Sequence, residues 1–406
     1  MCFRTILAGR RRSFIHQLIK KEMNFEFATA SRIIFGSGRL SDIGAIAREL
    51  GQRAFVIYGV ENESYFKLLN LLNEIGIATH SFAVSSEPSI DVIETGIDQA
   101  RQAGCDLVIS LGGGSAIDAG KAIAILLNNP GEITDYLEVI GKGKPLRKPG
   151  FPMVAIPTTA GTGAEVTRNA VIGVPERQIK VSLRSAMMLP KIALVDPQLT
   201  YDLPPAITAS TGLDALTQLI EPFVSNAANP LTDALCREGM FRVARSLYKA
   251  VHHGTDARAR EDMALASLFG GLALANARLG AVHGFAGVLG GKFGGPHGAI
   301  CACLLPLVME KNLQALQERQ SDSEKIQRYE EIAHILTGDS SAKAEDGIEW
   351  VNALCRNFEI PSLAAYGVSL SDIPEIVEMS ARASSMKGNP LPLTFEEMQD
   401  ILEAAL

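Results

Sequence analysis

The sequence predicts an α/β domain built on a doubly wound parallel sheet, followed by an all-α domain. Three observations predict it. An apolar run, Leu107-Val108-Ile109-Ser110, feeds the glycine-rich stretch Leu111-Gly112-Gly113-Gly114-Ser115-Ala116-Ile117-Asp118 and then a helical pattern over 119–127. Upstream of it, short apolar runs alternate with helical patterns at the spacing of βαβ units. Beyond Pro204 strand signals nearly vanish, and Ala- and Leu-rich helices take over.

The elements follow in order. Arg32-Ile33-Ile34-Phe35 is a strand that runs into the turn Gly36-Ser37-Gly38, and 40–50 is an amphipathic helix. Strands are predicted over 54–59 and 77–84, with helices over 65–75 and 90–103. After the glycine stretch the chain loops through 142–150 and returns as a strand over 151–157. That strand ends in Thr158-Thr159-Ala160-Gly161-Thr162-Gly163-Ala164-Glu165-Val166-Thr167, a turn dense in hydroxyls and glycines. Two more strands are read over 178–183 and 192–195. The boundary falls near residue 205, giving an α/β domain over 23–205 and a helical domain over 206–406.

Composition narrows the function classes. The 406 residues are 47% hydrophobic and 20% charged, ordinary for a globular protein of two domains. A net charge of −7 argues against a nucleic-acid partner. The apolar runs fall short of the ~18 residues that read as a membrane span. Six cysteines include no CxxC pair, and they read as reduced core residues of a cytoplasmic protein, Cys301 and Cys303 among them. Residues 1–22 carry six of their seven charges as Arg or Lys. They are read as a poorly ordered extension ahead of a start at Met23, with a mitochondrial-type transit peptide as the alternative.

Two sets of residues carry chemistry. The glycine stretch and the threonine turn both lie at carboxyl ends of strands, where ligands of open α/β sheets bind. Glycines let backbone N–H groups approach an anion, and the helix N-terminus adds favourable partial charge. Each turn alone could be a plain connection; the pair favours a nucleotide. The second set is Asp214, four residues before Gln218 on one helix face, with His283 and His297 flanking the glycine-dense segment 290–295, read as a hinge. One carboxylate and two imidazoles can hold a divalent metal, or can equally be a helix carboxylate and two hydrogen-bonded core histidines.

These residues resemble the iron-containing, group III alcohol dehydrogenases over about 25–400. The resemblance rests on Gly112-Gly113-Gly114-Ser115 with Asp118, on Pro157 through Thr167, on Leu194-Val195-Asp196-Pro197, on Thr211-Gly212-Leu213-Asp214-Ala215-Leu216 and on Pro296-His297-Gly298. It implies a nucleotide-binding domain and a helical domain with the active site in the cleft between them. It implies reversible hydride transfer between a small alcohol or carbonyl compound and NAD or NADP, with Fe or Zn as Lewis acid. Carried over, Gly112, Gly113, Gly114 and Ser115 match the pyrophosphate loop and Asp118 the acidic residue behind it. Thr158, Thr159, Thr162 and Thr167 match the cofactor-contacting turn, and Lys180 a lysine near the ribose. Asp214, His283 and His297 match three metal ligands, and Gln218 stands where the family has a fourth, histidine, ligand. Gly287 replaces a second histidine that the family places in the cleft.

The expectation is therefore an NAD(P)-dependent oxidoreductase on a small alcohol or carbonyl substrate, metal-assisted through an altered ligand set, and a homodimer paired through the strand at Arg32. The alternatives are a metal-independent carbonyl or keto-acid reductase, in which His283, His297 or Lys292 would stabilise the alkoxide, and a cofactor-binding protein without turnover. No proton donor is assigned. Gly59 ends its strand where NAD-preferring relatives carry an Asp, so NADP(H) is expected to be accepted at least as well as NAD(H), unless Glu61 reaches the ribose.

Overall fold

A computed structural model describes residues 24–138 and 140–406. The expectations for the leader and for a start at Met23 fall outside the described residues.

The first half is a six-stranded parallel sheet in the order β1-β8-β5-β4-β2-β3. The strands are β1 (Arg32–Phe35), β2 (Arg53–Tyr58), β3 (Ala78–Ala83), β4 (Leu107–Gly112), β5 (Met153–Pro157) and β8 (Ile192–Val195). Helices α1 (Ile43–Leu50), α2 (Glu63–Glu74), α3 (Ile90–Gln102) and α4 (Gly114–Asn128) cover both faces. The period of two in β2 shows how. Ala54 and Val56 pack with Ile43, Ile46, Leu68 and Leu72 on one face. Phe55 and Ile57 pack with Ile93, Ile97 and Ala116 on the other. Strands buried on both sides read as continuous apolar runs, which is why the sequence reveals them.

One strand departs from expectation, while the strand read over 178–183 is present as β7 (Ile179–Arg184). β6 (Asn169–Val174) was not foreseen, and it pairs antiparallel with β7 as a separate two-stranded sheet. Ala170, Ile172 and Val174 turn inward while Val171 stays exposed, so the hairpin caps the core with one face only.

From Pro205 onward the described residues contain no strand. The helices are α5 (Pro205–Val224), α6 (Pro230–His252), α7 (Ala257–Ala277), α8 (Ala281–Phe293), α9 (His297–Arg319), α10 (Glu324–Thr337), α11 (Ala344–Asn357), α12 (Ile373–Ala381) and α13 (Phe395–Ala404). α5 is the axis of this half, buried on nearly every side from Thr208 to Val224. The side chain of Asn229 caps α6 in a reciprocal capping box with Thr232. Arg278, at φ 64°, ends α7, and α8 departs at 100° to it. The expected hinge over 290–295 is mostly helix: α8 runs through Gly290 and Gly291 and stops at Gly294, whose φ of 71° is left-handed. By length and composition α9 is apolar enough to cross a membrane, although its unbroken apolar run, 299–309, stays short of ~18 residues as expected. Most of it is buried inside the helical half, as a core helix is.

Candidate functional site

β2 leads outward to β3 while β4 leads the opposite way to β5, so the sheet has its topological switch point between β2 and β4. Two glycine-containing ends meet there. Gly59 donates its N–H to the Leu111 carbonyl at 3.1 Å. A Cβ at Gly59 would lie 3.8 Å from Gly112 Cα. α4 begins at Gly114 with no side chain capping it, which leaves its first N–H groups free for an anion. The threonine turn closes over this loop. Thr158 N–H donates to the Gly112 carbonyl at 3.0 Å. A Cβ at Gly113 would lie 3.4 Å from Thr159, and one at Gly114 3.1 Å from Thr162. Gly112, Gly113, Gly114, Thr158, Thr159 and Thr162 thus lie against one another, with Ser115 following in the first turn of α4.

Asp118 and Thr167 meet through a residue that sequence reasoning passed over. The buried Lys121 ammonium lies 2.7 Å from Asp118 Oδ1 and donates to Thr167 Oγ1 at 2.9 Å and to the Ala164 carbonyl at 3.1 Å. Asp118 Oδ2 also accepts from Val171 N–H at 2.9 Å. The two residues therefore tie α4 to the threonine turn and the hairpin. The signal was available: Asp118 and Lys121 sit three apart on one helix face. Lys180 Nζ is held by Glu87 Oε1 at 2.5 Å, on the hairpin beside α8.

The second cluster is organised by α5. Asp214, Gln218 and Glu221 recur at i, i+4 and i+7, which puts all three on one face, and all are buried. Glu221 was not foreseen, although that spacing announces it. Glu221 Oε1 accepts from Val282 N–H at 2.7 Å, and Oε2 accepts from His283 Nδ1 at 2.7 Å. This fixes the ring and its tautomer, and points Nε2 at Asp214 Oδ1, 3.4 Å away. His297, at the first position of α9 after Pro296, brings its Nε2 within 3.8 Å of the same oxygen. Gln218 donates its amide to Asp214 Oδ2 at 2.9 Å. Cys301 lies one turn beyond His297, with its sulfur 3.7 Å from His297 Nε2. It is not the plain core cysteine the sequence suggested. Its i+4 spacing from His297 was the signal. Ligand atoms of Asp214, His283, His297 and Cys301 all lie within 4.8 Å of one another.

Charge is unbalanced here. Burial works against charging the His283 and His297 imidazoles, but Cys301 and Asp214 outweigh it, with Glu221 adding at His283, and both titrate above the usual imidazole range. Burial likewise works against the Asp214 carboxylate, yet His283, His297 and Gln218 hold it below the usual carboxyl range. The pocket favours cations next to a fixed anion. Asp214 Oδ1 and Gln218 Oε1 are buried without a hydrogen-bond partner, a costly arrangement unless something else satisfies them. A carboxylate, two oriented imidazoles and an orphaned oxygen fit a divalent metal ion.

The threonine turn and the cluster adjoin. A Cβ at Gly161 in the threonine turn would meet Thr211 at 2.8 Å, one turn before Asp214 on α5. A Cβ at Gly298, next to His297, would meet the Ser210 carbonyl at 2.8 Å. The turn and the start of α9 therefore dock on the same turn of α5. Lys292, a candidate alkoxide stabiliser, is taken up by Glu375 at 2.5 Å and Asp372 at 3.8 Å. Around Gly287, a Cβ would meet nothing within 4 Å.

Comparison with known proteins agrees with this geometry. A family profile described as iron-containing alcohol dehydrogenase matches residues 30–197, and one described as the C-terminal part of the Fe-containing alcohol dehydrogenase family matches 208–406. The chain is 34% identical to a 1,3-propanediol dehydrogenase of Klebsiella pneumoniae, over 94% of this chain and 98% of that one. It is 35% identical to an alcohol dehydrogenase 4 of Schizosaccharomyces pombe, over 92% and 87%. A solved 1,3-propanediol oxidoreductase superposes with a TM-score of 0.88 at 33% identity, covering 95% of this chain and all of that one.

Proposed function

The chain belongs to the iron-containing alcohol dehydrogenase family, and we infer that it is an NAD(P)-dependent oxidoreductase that interconverts a small alcohol with its aldehyde or ketone. From that premise we propose that Asp214, His283 and His297 hold its divalent metal and that the glycine loop and threonine turn hold its dinucleotide. The observation that carries this is the shared docking of the threonine turn and the His297 helix on residues 210–211 of α5, one turn from Asp214. Relatives named for 1,3-propanediol point to a short-chain primary alcohol or diol as substrate.

The division of labour follows from the residues. The α4 N-terminus and the loop's backbone N–H groups bind the pyrophosphate, and Thr159 and Thr162 lie against Gly113 and Gly114. Glu221 orients His283, and Gln218 orients Asp214. The metal supplies Lewis-acid polarisation of the substrate oxygen, and the nicotinamide supplies or accepts the hydride. Oxidation of NADH or NADPH against a panel of short aldehydes tests the reading. Turnover that a chelator suppresses and zinc or iron restores supports it. Turnover indifferent to both selects the metal-independent alternative, and cofactor binding with no turnover selects the non-enzyme.

Cofactor preference is read from Gly59. It carries no carboxylate to accept bonds from the adenosine ribose or to repel a 2′-phosphate. NADP(H) is expected to match or exceed NAD(H) in kcat/KM. Gly59→Asp has room, since a Cβ there makes only ordinary contacts at 3.8 and 3.9 Å. It should shift the ratio toward NAD(H) by about tenfold, or ~1.4 kcal/mol. An unchanged ratio would place the ribose elsewhere.

A homodimer is proposed through the edge strand β1, which among the described residues pairs only with β8 and leaves Ile33 37% exposed. Light scattering on an eluting peak at micromolar concentration should give twice the chain mass. A monomer would remove the proposal. Placement in the cytoplasm is likewise a proposal, supported by the buried course of α9 and by cysteines that are free among the described residues.

A further inference from the structure

We propose that the fourth protein ligand of the metal centre is Cys301, bound as its thiolate, and that Gln218 has passed from ligand to positioning residue. This rests on the reading that Asp214, His283 and His297 bind a divalent ion.

Gln218 is held by one end of its amide. Its amide nitrogen donates to Asp214 Oδ2 at 2.9 Å, so the NH₂ group, which carries no lone pair for a metal, is the end of the side chain held against the cluster's carboxylate. The reverse amide orientation would set two acceptor oxygens against each other, so the network fixes the assignment. Gln218 thereby holds Asp214 by one oxygen and leaves the other, Oδ1, unpartnered, buried and shared between His283 Nε2 and His297 Nε2.

The other amide atom, Gln218 Oε1, is buried without a hydrogen-bond partner and is a weak neutral oxygen donor where the family has an imidazole; the structure brings a stronger donor from another helix. Cys301 is fully buried. Its sulfur joins one oxygen of Asp214 and one nitrogen of each histidine in a group whose members all lie within 4.8 Å of one another. The spacing from His297 to Cys301 is one helical turn, which puts imidazole and thiol on the same face of α9. The remaining cysteines in this half are differently employed. Cys303 and Cys355 donate to the carbonyls of Ala405 and Ala302, and Cys236 is packed in the apolar core.

The chemistry of the site changes with this ligand. One carboxylate, two imidazoles and one thiolate make a softer and more anionic set than three imidazoles and a carboxylate. Thiolate donors suit Zn²⁺ and set it above Fe²⁺ in affinity for the same ligands.

Cobalt(II) is the probe, because a thiolate bound to it gives an intense near-ultraviolet charge-transfer absorption that oxygen and nitrogen ligands do not. The full-length protein, stripped by chelator and reloaded with Co²⁺, should show visible d–d bands together with that absorption. Cys301→Ser should keep the d–d bands, lose the near-ultraviolet absorption and bind Co²⁺ at least about tenfold more weakly. Gln218→Ala should keep the near-ultraviolet absorption. Wild-type protein with d–d bands but no thiolate absorption overturns the assignment of Cys301 and leaves the metal centre standing. So does a thiolate absorption that survives Cys301→Ser or disappears in Gln218→Ala. Wild-type protein that takes up neither Co²⁺ nor Zn²⁺ overturns both.

Discussion

Asp214→Asn should lose bound metal and at least about a thousandfold in kcat/KM, ~4 kcal/mol of transition-state stabilisation. Asp214 Oδ1 is the atom both imidazoles face, at 3.4 and 3.8 Å. It supplies the one carboxylate charge in the ligand cluster of Asp214, His283, His297 and Cys301. Asparagine keeps the volume and a carbonyl oxygen for Gln218, so the change removes charge while sparing the packing of α5. Without that charge the cluster holds two imidazoles whose positive form has lost a stabilising partner, and a cation is no longer favoured between them. Elemental analysis of protein purified without chelator, run beside steady-state kinetics and thermal melting, checks it. A variant with wild-type metal content and activity within about threefold would show that the metal, if any, sits elsewhere.

Gly271→Ala should destabilise the protein by on the order of 3 kcal/mol and raise KM for the cofactor. Helix propensity alone predicts the opposite sign, since alanine is favoured over glycine by about 1 kcal/mol inside a helix such as α7. Contact decides it. A Cβ at Gly271 would lie 2.4 Å from the Gly163 carbonyl oxygen and 2.8 Å from Gly163 Cα, backbone that has no rotamer to escape into. Gly163 in turn has φ 57°, a left-handed conformation that fixes the course of the threonine turn. Pushing α7 away from Gly163 therefore moves Thr159 and Thr162 off the glycine loop. A melting temperature and cofactor KM equal to wild type would show that this contact does not hold the turn.

How much was legible depends on how far each residue's role is local. The parallel strands were, because a strand buried on both faces leaves an unbroken apolar run such as Leu107-Val108-Ile109. β6 was not: Asn169 to Val174 buries one face only and carries a glycine, so its alternation is weak. Asp214, His283 and His297 were singled out as one carboxylate and two imidazoles, the resemblance matched them to metal ligands, and the structure brings their ligand atoms together. Glu221 and Cys301 were missed for one reason. Each sits at helical spacing from a recognised residue, but a buried glutamate and a cysteine in an apolar run read as core until the partner helix is in place. Lys121 and Lys180 show the converse. Their ionic partners, Asp118 and Glu87, lie respectively one helical turn away and on a distant loop, and only the former pairing can be read from spacing.

Metal-assisted hydride transfer is proposed at the junction of the glycine loop and α5. The most direct measurement follows reduced-nicotinamide absorbance as the protein, NADP⁺ or NAD⁺ and a short primary alcohol are mixed, with chelator added midway and Zn²⁺ or Fe²⁺ after it. Absorbance is expected to rise, stop on chelation and resume on metal addition. Cofactor binding with no absorbance change under any of these additions, across alcohols in one direction and aldehydes in the other, would contradict it.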